Sequence, residues 1–533
     1  MKQSIILNVD SYKVSMDQMY PPNTTHVYSY IESRGGIYPE TLFFGIQAFI
    51  KEYLAKPITQ EEIDRAELFW GLHGEVFNKD NWQYILDTHN GYLPLVIKSV
   101  PEGSIVPVGN VLATVENTDP KCYWLTTWVE TALLRAIWYP TTVASQGLSI
   151  KRIIKKFLDE TGDPDTLQYK LHCFGSRGVS SNESAVLGGM AHLVNFSGTD
   201  TVAGVLGAME YYNGGMVGTS VIASEHSVCT SWGRENEADS YKNVIKKFNG
   251  KIISLVADSY DIYNACRNIF GKELKDDIIN MHGFLVIRPD SGVPIDVICG
   301  QKFLKIESIN DVEDELLEYI RCNTPHAEQG PSKLSDTFKV GEKYVKSTIE
   351  IDWNMYDKQY YYMDGSRIIS TEEFVPTDQQ KGIVEILAEE FGTTTNSKGY
   401  KVLNNVRILQ GDGIDGTVIH DILERLKTMG YSADNILFGM GGQNLQKVDR
   451  DTMKFAMKCS AIKVDGKWRT VQKDPITDSG KKSKAGRVTL YKTNGEYHSG
   501  VEDWEEPALV TTYLNGVLMN EISFDQIRNN ACI

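Results

Sequence analysis

Six times between residues 169 and 442 a short apolar run gives way to a polar, mostly glycine-rich loop. The runs are Tyr169–Phe174 before GSRG, Thr219–Ala223 before SEHS, and Ile252–Val256 before ADSYD. Three more are Phe284–Ile287 before RPDSG, Val406–Leu409 before QGDG, and Asn435–Phe438 before GMGG. Continuous rather than alternating apolar residues suit strands covered on both faces, as in a parallel sheet. Helical patterns follow several of them. The clearest has Val418, Ile419, Ile422, Leu423 and Leu426 on one face, with Asp415 or Thr417 as N-cap and Gly430 as C-cap. Lys51–Lys56 and Asp239–Phe248 also read as helical. Six strand–loop units with helices between them predict an α/β fold, an irregular α/β barrel whose loops gather at the C-terminal ends of the strands. That topology would bring Phe174, His226, Asp261, Asp290, Asp412 and Gly441 to one mouth.

The flanks differ. Alternating segments near the start (HVYSYIES, LPLVIKSV, VLATVEN) and near the end (RVTLYK, ALVTTYLNGVL) predict an α+β domain built from residues 1–135 plus 450–533, beside a barrel over 136–449. Residues 300–377 read as an insertion in a loop at the barrel mouth, with a helix over Asp311–Arg321 and a hairpin, QYYYMDGSRII, turning at Asp364-Gly365.

Composition narrows the partners. Among 533 residues, 54 Lys+Arg against 70 Asp+Glu leave a net charge of −16, which argues against general binding to nucleic acid or an anionic membrane. One local basic pocket still suffices for an anionic substrate, and KDPITDSGKKSKAGR (Lys473–Arg487) is such a cluster. The eight cysteines are scattered with no C-x-x-C, the usage of a reducing compartment rather than of a disulfide framework or a zinc site. No secretory signal is visible, and the most apolar stretch, Tyr123–Ala144, is interrupted by Glu130 and Arg135; a cytoplasmic protein is expected.

G-x-x-x-x-G-K-[ST], H-E-x-x-H and G-x-S-x-G are absent, and GMGGQN fails G-x-G-x-x-G at Asn444. The loops that are present suit a phosphorylated sugar. Gln410–Gly416 and Gly439–Gly442 offer backbone N–H groups for phosphate at strand ends. Asp258, Asp261 and Asp290 supply carboxylates for ribose hydroxyls or Mg²⁺. His226, beside Glu225, suits a proton carrier or phosphate acceptor. Taken singly, each also reads as a tight turn, a helix cap or a structural histidine.

Longer strings are more specific. DSYKVSMDQMYPPNTTHVYSYIESR, VPEGSIVPVGNVLATVENTDPKCYWLTTWVET, FGSRGVSS, AHLVNFSGTDTVAG, ADSYDIYNAC, IRPDSG, NSKGYKVL, RILQGDGID, LQKVDRDTMKFAMKCS and SFDQIRNNA occur in order over nearly the whole chain outside Gly300–Thr377. Together they resemble the nicotinamide phosphoribosyltransferase family, type II phosphoribosyltransferases. The resemblance implies a pentosyltransferase that joins nicotinamide to 5-phosphoribosyl-1-pyrophosphate with Mg²⁺, giving nicotinamide mononucleotide and pyrophosphate for NAD salvage. It further implies ATP as an activating co-substrate and a homodimer with active sites at its interface.

By the same resemblance, Phe174 stacks on one face of nicotinamide and Tyr12 of the partner subunit on the other. Arg177 and Asp200 contact the carboxamide, and Ser220 belongs with the substrate-binding residues. A carboxylate at 200 accepts from an amide NH₂ and repels the acid of nicotinate. Asp261, Arg288 and Asp290 serve the ribose and the pyrophosphate, with Mg²⁺ held by Asp261 and Asp290 through water. Gly411, Asp412, Gly441 and Gly442 serve the 5′-phosphate and ribose, while Arg34, Arg450, Lys458 and Lys473 reach the pyrophosphate, some across the dimer interface. His226 matches the histidine that ATP phosphorylates. The chain departs from vertebrate-type members at Ser176, where they carry Tyr, at Ala257, where they carry Ser, and in the insertion. Three alternatives stand beside this reading: a nicotinate phosphoribosyltransferase on the same fold, a non-catalytic binding or signalling protein, and an unrelated barrel enzyme such as an aldolase. Asp200 disfavours the first, the full set of charged site residues the second, and the lack of a lysine in the strand-end strings the third.

Overall fold

The computed structural model describes residues 4–306, 308, 332–340, 343–357, 360–477, 483–501 and 506–533. The chain divides into two units, one of Met1–Val221, Gln410–His420 and Ile436–Ile533, the other of Ile222–Leu409 and Asp421–Asn435.

In the first unit the alternating segments near the start of the chain and ALVTTYLNGVL near its end join one seven-stranded sheet, whereas RVTLYK pairs with Glu496–Val501 in a separate two-stranded ladder. In the larger sheet Thr24–Ser33 pairs antiparallel with Phe455–Val464 on one side and Val111–Asn117 on the other, and Val510–Leu514 pairs with Leu95–Ser99. Beneath it Trp82, Trp124 and Trp128 pack edge-to-face with centroids 4.9 to 5.5 Å apart, a geometry that aligns ring edges with ring faces. The apolar stretch around Tyr123–Ala144 enters a 32-residue helix, Glu130–Thr161. Its buried hydroxyls explain why the helix is not uniformly apolar. Thr141 Oγ1 and Ser145 Oγ accept from the backbone N–H groups of Phe44 and Leu42 at 3.2 and 2.9 Å, pairing donors that burial would otherwise strand. Among the described residues no helix is long and apolar enough to cross a membrane. The same unit holds three short parallel strands in the order Gly198–Thr199, Leu171–Cys173, Ile436–Met440.

The second unit carries four parallel strands in the order Val406–Gln410, Leu285–Arg288, Ile253–Val256, Ile222–Ala223. All six apolar runs thus contain strands of parallel pairs, and the α/β class read from them holds. The run Thr219–Ala223 is the most reduced, keeping a strand only at Ile222–Ala223 and a single bridge from Thr219 to Gly198. The helix Gly416–Thr428 begins where expected: Asp415 Oδ1 accepts from the N–H groups of Thr417 and Val418, both at 2.9 Å.

The insertion forms a separate four-stranded sheet, Leu304–Ile306, Ser332–Val340, Lys343–Asp357 and Tyr360–Phe374. One expectation is corrected. Asp364-Gly365 is not the hairpin turn: the strand Tyr360–Phe374 runs through it, Gly365 opposite Asp352 at a register shift. The reversal falls between Asp357 and Tyr360, so the glycine is used where the ladder bulges. The helix Pro294–Cys299 stands between RPDSG and the insertion. The root is a contact between Gly300 and Gly382, both at positive φ (69° and 77°). A Cβ on either would lie 2.3 Å from backbone of the other arm. The expected helix Asp311–Arg321 lies outside the described residues.

One buried carboxylate organises the first unit locally. Glu102 Oε1 accepts from the N–H groups of Gly45 (2.5 Å) and Gln47 (3.4 Å) and from Tyr212 Oη (3.1 Å), whereas Oε2 is buried without a partner. Burial raises its pKa from 4.5 to about 7, against the pull of those donors. The folded chain therefore holds this proton more tightly than the unfolded chain. The group leaves stability undiminished in acid and lowers it progressively as pH rises from 4.5 to about 7. The full shift corresponds to about 3 kcal/mol. Glu102→Gln is expected to gain stability relative to the parent at about pH 8 but not at about pH 5; equal urea midpoint differences at both pH values would contradict the assignment.

Candidate active site

In the first unit the strand Leu171–Cys173 delivers Phe174, whose N–H donates to Met440 O at 2.9 Å. The phenyl ring lies directly over Gly439, where a Cβ would stand 2.0 Å from it. Turn packs on turn here, since a Cβ at Gly178 would be 3.0 Å from the Gly442 Cα. Nothing stands within 4 Å of the positions a Cβ would take on Gly441 and Gly442, so those backbones face open space. Arg177 is exposed on the 3₁₀ turn Gly175–Gly178.

Asp200 follows the strand Gly198–Thr199, its N–H held 2.9 Å from Cys173 O. Two side chains brace its carboxylate at Oδ1: Ser220 Oγ donates a short hydrogen bond, and His172 Nε2 lies 3.2 Å away. The His172 ring also leans on Phe174, centroids 5.0 Å apart. Strand periodicity places His172 on the Phe174 face, a signal sufficient to find it. Tyr12 stands 58% exposed on a short turn, with the Lys13 ammonium 5.4 Å from its ring centre.

Gln410 ends its strand buried, and its Nε2 donates to Asp412 O at 2.9 Å, shaping the loop that carries Gly411 and an exposed Asp412. A basic cluster forms on the antiparallel sheet. Burial chiefly, with the charges of Arg34, Lys473 and Arg450, depresses the Lys458 ammonium below its ordinary value, while Glu130 opposes them. Arg34 donates through Nε to Glu32 at 3.1 Å and keeps Nη2 buried without a partner. Of the basic run Lys473–Arg487, Lys484 is bonded to Glu32 and Arg487 pairs with Glu116 at 3.0 Å. Those two cations hold the sheet together and are not available to an anion, and residues 478–482 lie outside the described residues.

In the second unit His226 opens the short helix His226–Thr230. The carboxylate beside it in sequence is not its partner: Glu225 accepts from Ser227, and His226 Nε2 lies 2.9 Å from Asp258 Oδ1. Asp258 is almost wholly buried and the imidazole 46% exposed, so the acid anchors the ring and leaves its other edge to solvent. Asp261 caps the short helix Ile262–Asn264, Oδ1 accepting from the N–H groups of Tyr263 and Asn264 at 3.0 Å. Asp290 Oδ1 lies 3.7 Å from Arg288 Nε, a buried donor without a hydrogen-bond acceptor.

Residues 169–320 and 346–516 match the nicotinate phosphoribosyltransferase (NAPRTase) family, and residues 4–97 match the nicotinamide phosphoribosyltransferase N-terminal domain. A nicotinamide phosphoribosyltransferase of Xanthomonas campestris pv. campestris is 42% identical, covering 99% of this chain and 98% of its own. One from Acinetobacter baylyi is 29% identical over 98% and 95%. Among solved structures, nicotinate-nucleotide pyrophosphorylase from Pyrococcus furiosus shares the fold, with a TM-score of 0.55 at 15% identity over 99% of this chain and 94% of that one. The loops assembled on these strands are thus those of a known scaffold, and the chain belongs to the NAPRTase family and, within it, to the nicotinamide phosphoribosyltransferases.

Proposed function

We propose that the protein joins nicotinamide to 5-phosphoribosyl-1-pyrophosphate, releasing pyrophosphate and nicotinamide mononucleotide, and so serves NAD salvage in the cytoplasm. The observation that carries the choice of base is Asp200, a carboxylate braced at one oxygen by His172 and Ser220. Its carboxylate accepts from the carboxamide NH₂ while Phe174 stacks on the pyridine; nicotinate would meet like charge. Free thiols at all seven described cysteines fit a reducing compartment.

As the bond from C1 to pyrophosphate breaks ahead of attack by the ring nitrogen, positive charge grows on the ribose and negative charge on the leaving group. Stacking and the carboxamide contacts hold the nitrogen over C1. Gly411, Gly441 and Gly442 hold the 5′-phosphate through backbone N–H groups, and Asp412 the ribose. The unpartnered Arg288 Nε offers a donor to an anionic oxygen, as do Arg34 Nη2 and the Lys458 cluster with Arg450 and Lys473. The exposed Asp261 and half-buried Asp290 form an all-oxygen donor set of the kind Mg²⁺ accepts through water. Bound there, Mg²⁺ would neutralise pyrophosphate charge.

ATP acts through His226. An Nε2–H donated to Asp258 leaves the Nδ1 lone pair as the nucleophile toward the terminal phosphate of ATP. The exposed Tyr12 supports a homodimer in which it closes the base site of the other subunit. The test is a product assay with Mg²⁺ and phosphoribosyl pyrophosphate, offering nicotinamide or nicotinate with and without ATP. Mononucleotide from nicotinamide, stimulated by ATP, is expected; product mainly from nicotinate would overturn the role of Asp200.

Two variants probe the geometry. Asp258→Asn removes the anchoring charge and is expected to abolish ATP stimulation while lowering the ATP-independent rate far less; retained stimulation would remove Asp258 from the pathway. Gly439→Ala forces the phenyl ring aside and is expected to raise KM for nicotinamide by about tenfold or more, with little change in KM for the sugar phosphate. An unchanged nicotinamide KM would mean that Phe174 does not set base affinity.

A further inference from the structure

Apart from the residues the reaction uses, the first unit gathers an imidazole, a carboxylate and a thiol at one point. His89 is the last residue of the helix Lys79–His89, and Asp119 caps the 3₁₀ turn Pro120–Cys122 that follows the strand Val111–Asn117. One ligand atom from each of His89, Asp119 and Cys122 lies within 4.8 Å of the other two. His89 Nε2 is 2.8 Å from Asp119 Oδ2, which also accepts from Tyr84 Oη at 2.9 Å; Asp119 Oδ1 accepts from the Lys121 N–H at 2.8 Å. Cys122 is 1% exposed, and its thiol makes no hydrogen bond among the described residues.

We propose that His89, Asp119 and Cys122 bind a divalent cation of the zinc class, with water in the fourth position. The nitrogen, oxygen and sulfur donors suit a borderline-soft ion of tetrahedral habit; Mg²⁺ wants oxygen throughout. The side chains of His89 and Asp119 are 25% and 16% exposed, giving the ion a path from solvent, while the sulfur closes the site from inside. Binding expels the thiol proton to water and replaces the His89–Asp119 hydrogen bond with two metal bonds, Nδ1 then carrying the imidazole proton. Thiolate and carboxylate together balance the charge of the ion. The result ties the C-terminal end of one helix to the turn after a core strand. The scattered cysteines predict no zinc site, because a D-x-x-C turn joined to a distant histidine matches no familiar spacing.

The test titrates Co²⁺ into the full chain after chelator treatment, in a Cys532→Ser background that removes an exposed thiol. One equivalent with a thiolate-to-cobalt charge-transfer band is expected, displaced by Zn²⁺, which should also raise the unfolding temperature. Cys122→Ser should lose the band, and His89→Ala, which keeps the buried thiol, should weaken binding by about tenfold or more. No band in the parent, a band that survives Cys122→Ser, or equal affinity in His89→Ala would each overturn the site. In those cases His89 and Asp119 form only a hydrogen-bonded cap beside a buried thiol. None of these readouts depends on the phosphoribosyl transfer.

Discussion

The first unit depends on a strand pairing that closes most of the chain. Thr24–Ser33 lies against Phe455–Val464, with Tyr30 opposite Lys458. Thr24–Ser33 also pairs with Val111–Asn117, and Phe455–Val464 with Lys467–Thr470, but joining the two ladders closes a loop of most of the chain, whose entropy is paid for before the pairing is gained. The same register sets the electrostatics. It puts Lys458 within the field of Arg34, brings Lys484 to Glu32, and leaves Arg34 Nη2 without an acceptor. A one-residue slip would turn these side chains to the opposite face, so this concentration of positive charge is a property of the pairing rather than of local sequence.

Two imidazole–carboxylate pairs use one device twice. An imidazole and a carboxylate are set at hydrogen-bonding distance, with burial reversed between them. At His172–Asp200 the imidazole is the more buried partner and the acid faces outward; at His226–Asp258 the acid is buried and the imidazole faces outward. The outward member has the freedom to meet a ligand, and the inward one fixes its rotamer and proton position. The first arrangement suits recognition of a neutral amide, and the second suits a nucleophilic ring nitrogen.

Six parallel strands were legible because buried strands leave continuous apolar runs, each ended by a polar loop; the seventh, Gly198–Thr199, is two residues long and leaves no run. Asp415 as a helix cap was equally plain, since the side-chain oxygen and the helix start are adjacent. Partners across the fold were hidden. Glu225 neighbours His226 in sequence, yet Asp258, thirty-two residues on, holds it. His172 could have been found from strand alternation with Phe174, whereas the closeness of Gly439 to that ring depends on a neighbouring strand more than 260 residues away. Asp364-Gly365 misled because the same dipeptide serves a tight turn and a bulge, and only the partner strand distinguishes them. In the basic run Lys473–Arg487, composition counts cations without showing that Lys484 and Arg487 are already bonded.

The root of the insertion has a consequence for how such a chain acquires new parts. Gly300 and Gly382 touch, and the Gln301 N–H donates to Gln380 O at 2.9 Å, so the two arms leave the host side by side. A segment whose ends already meet adds almost no strain to the fold that carries it, whatever its length. Both junctions use backbone conformations that favour glycine, which makes this pair of positions a natural splice point. It is a place where whole sheets can be exchanged, shortened or replaced by an unrelated domain while the helices on either side keep their packing.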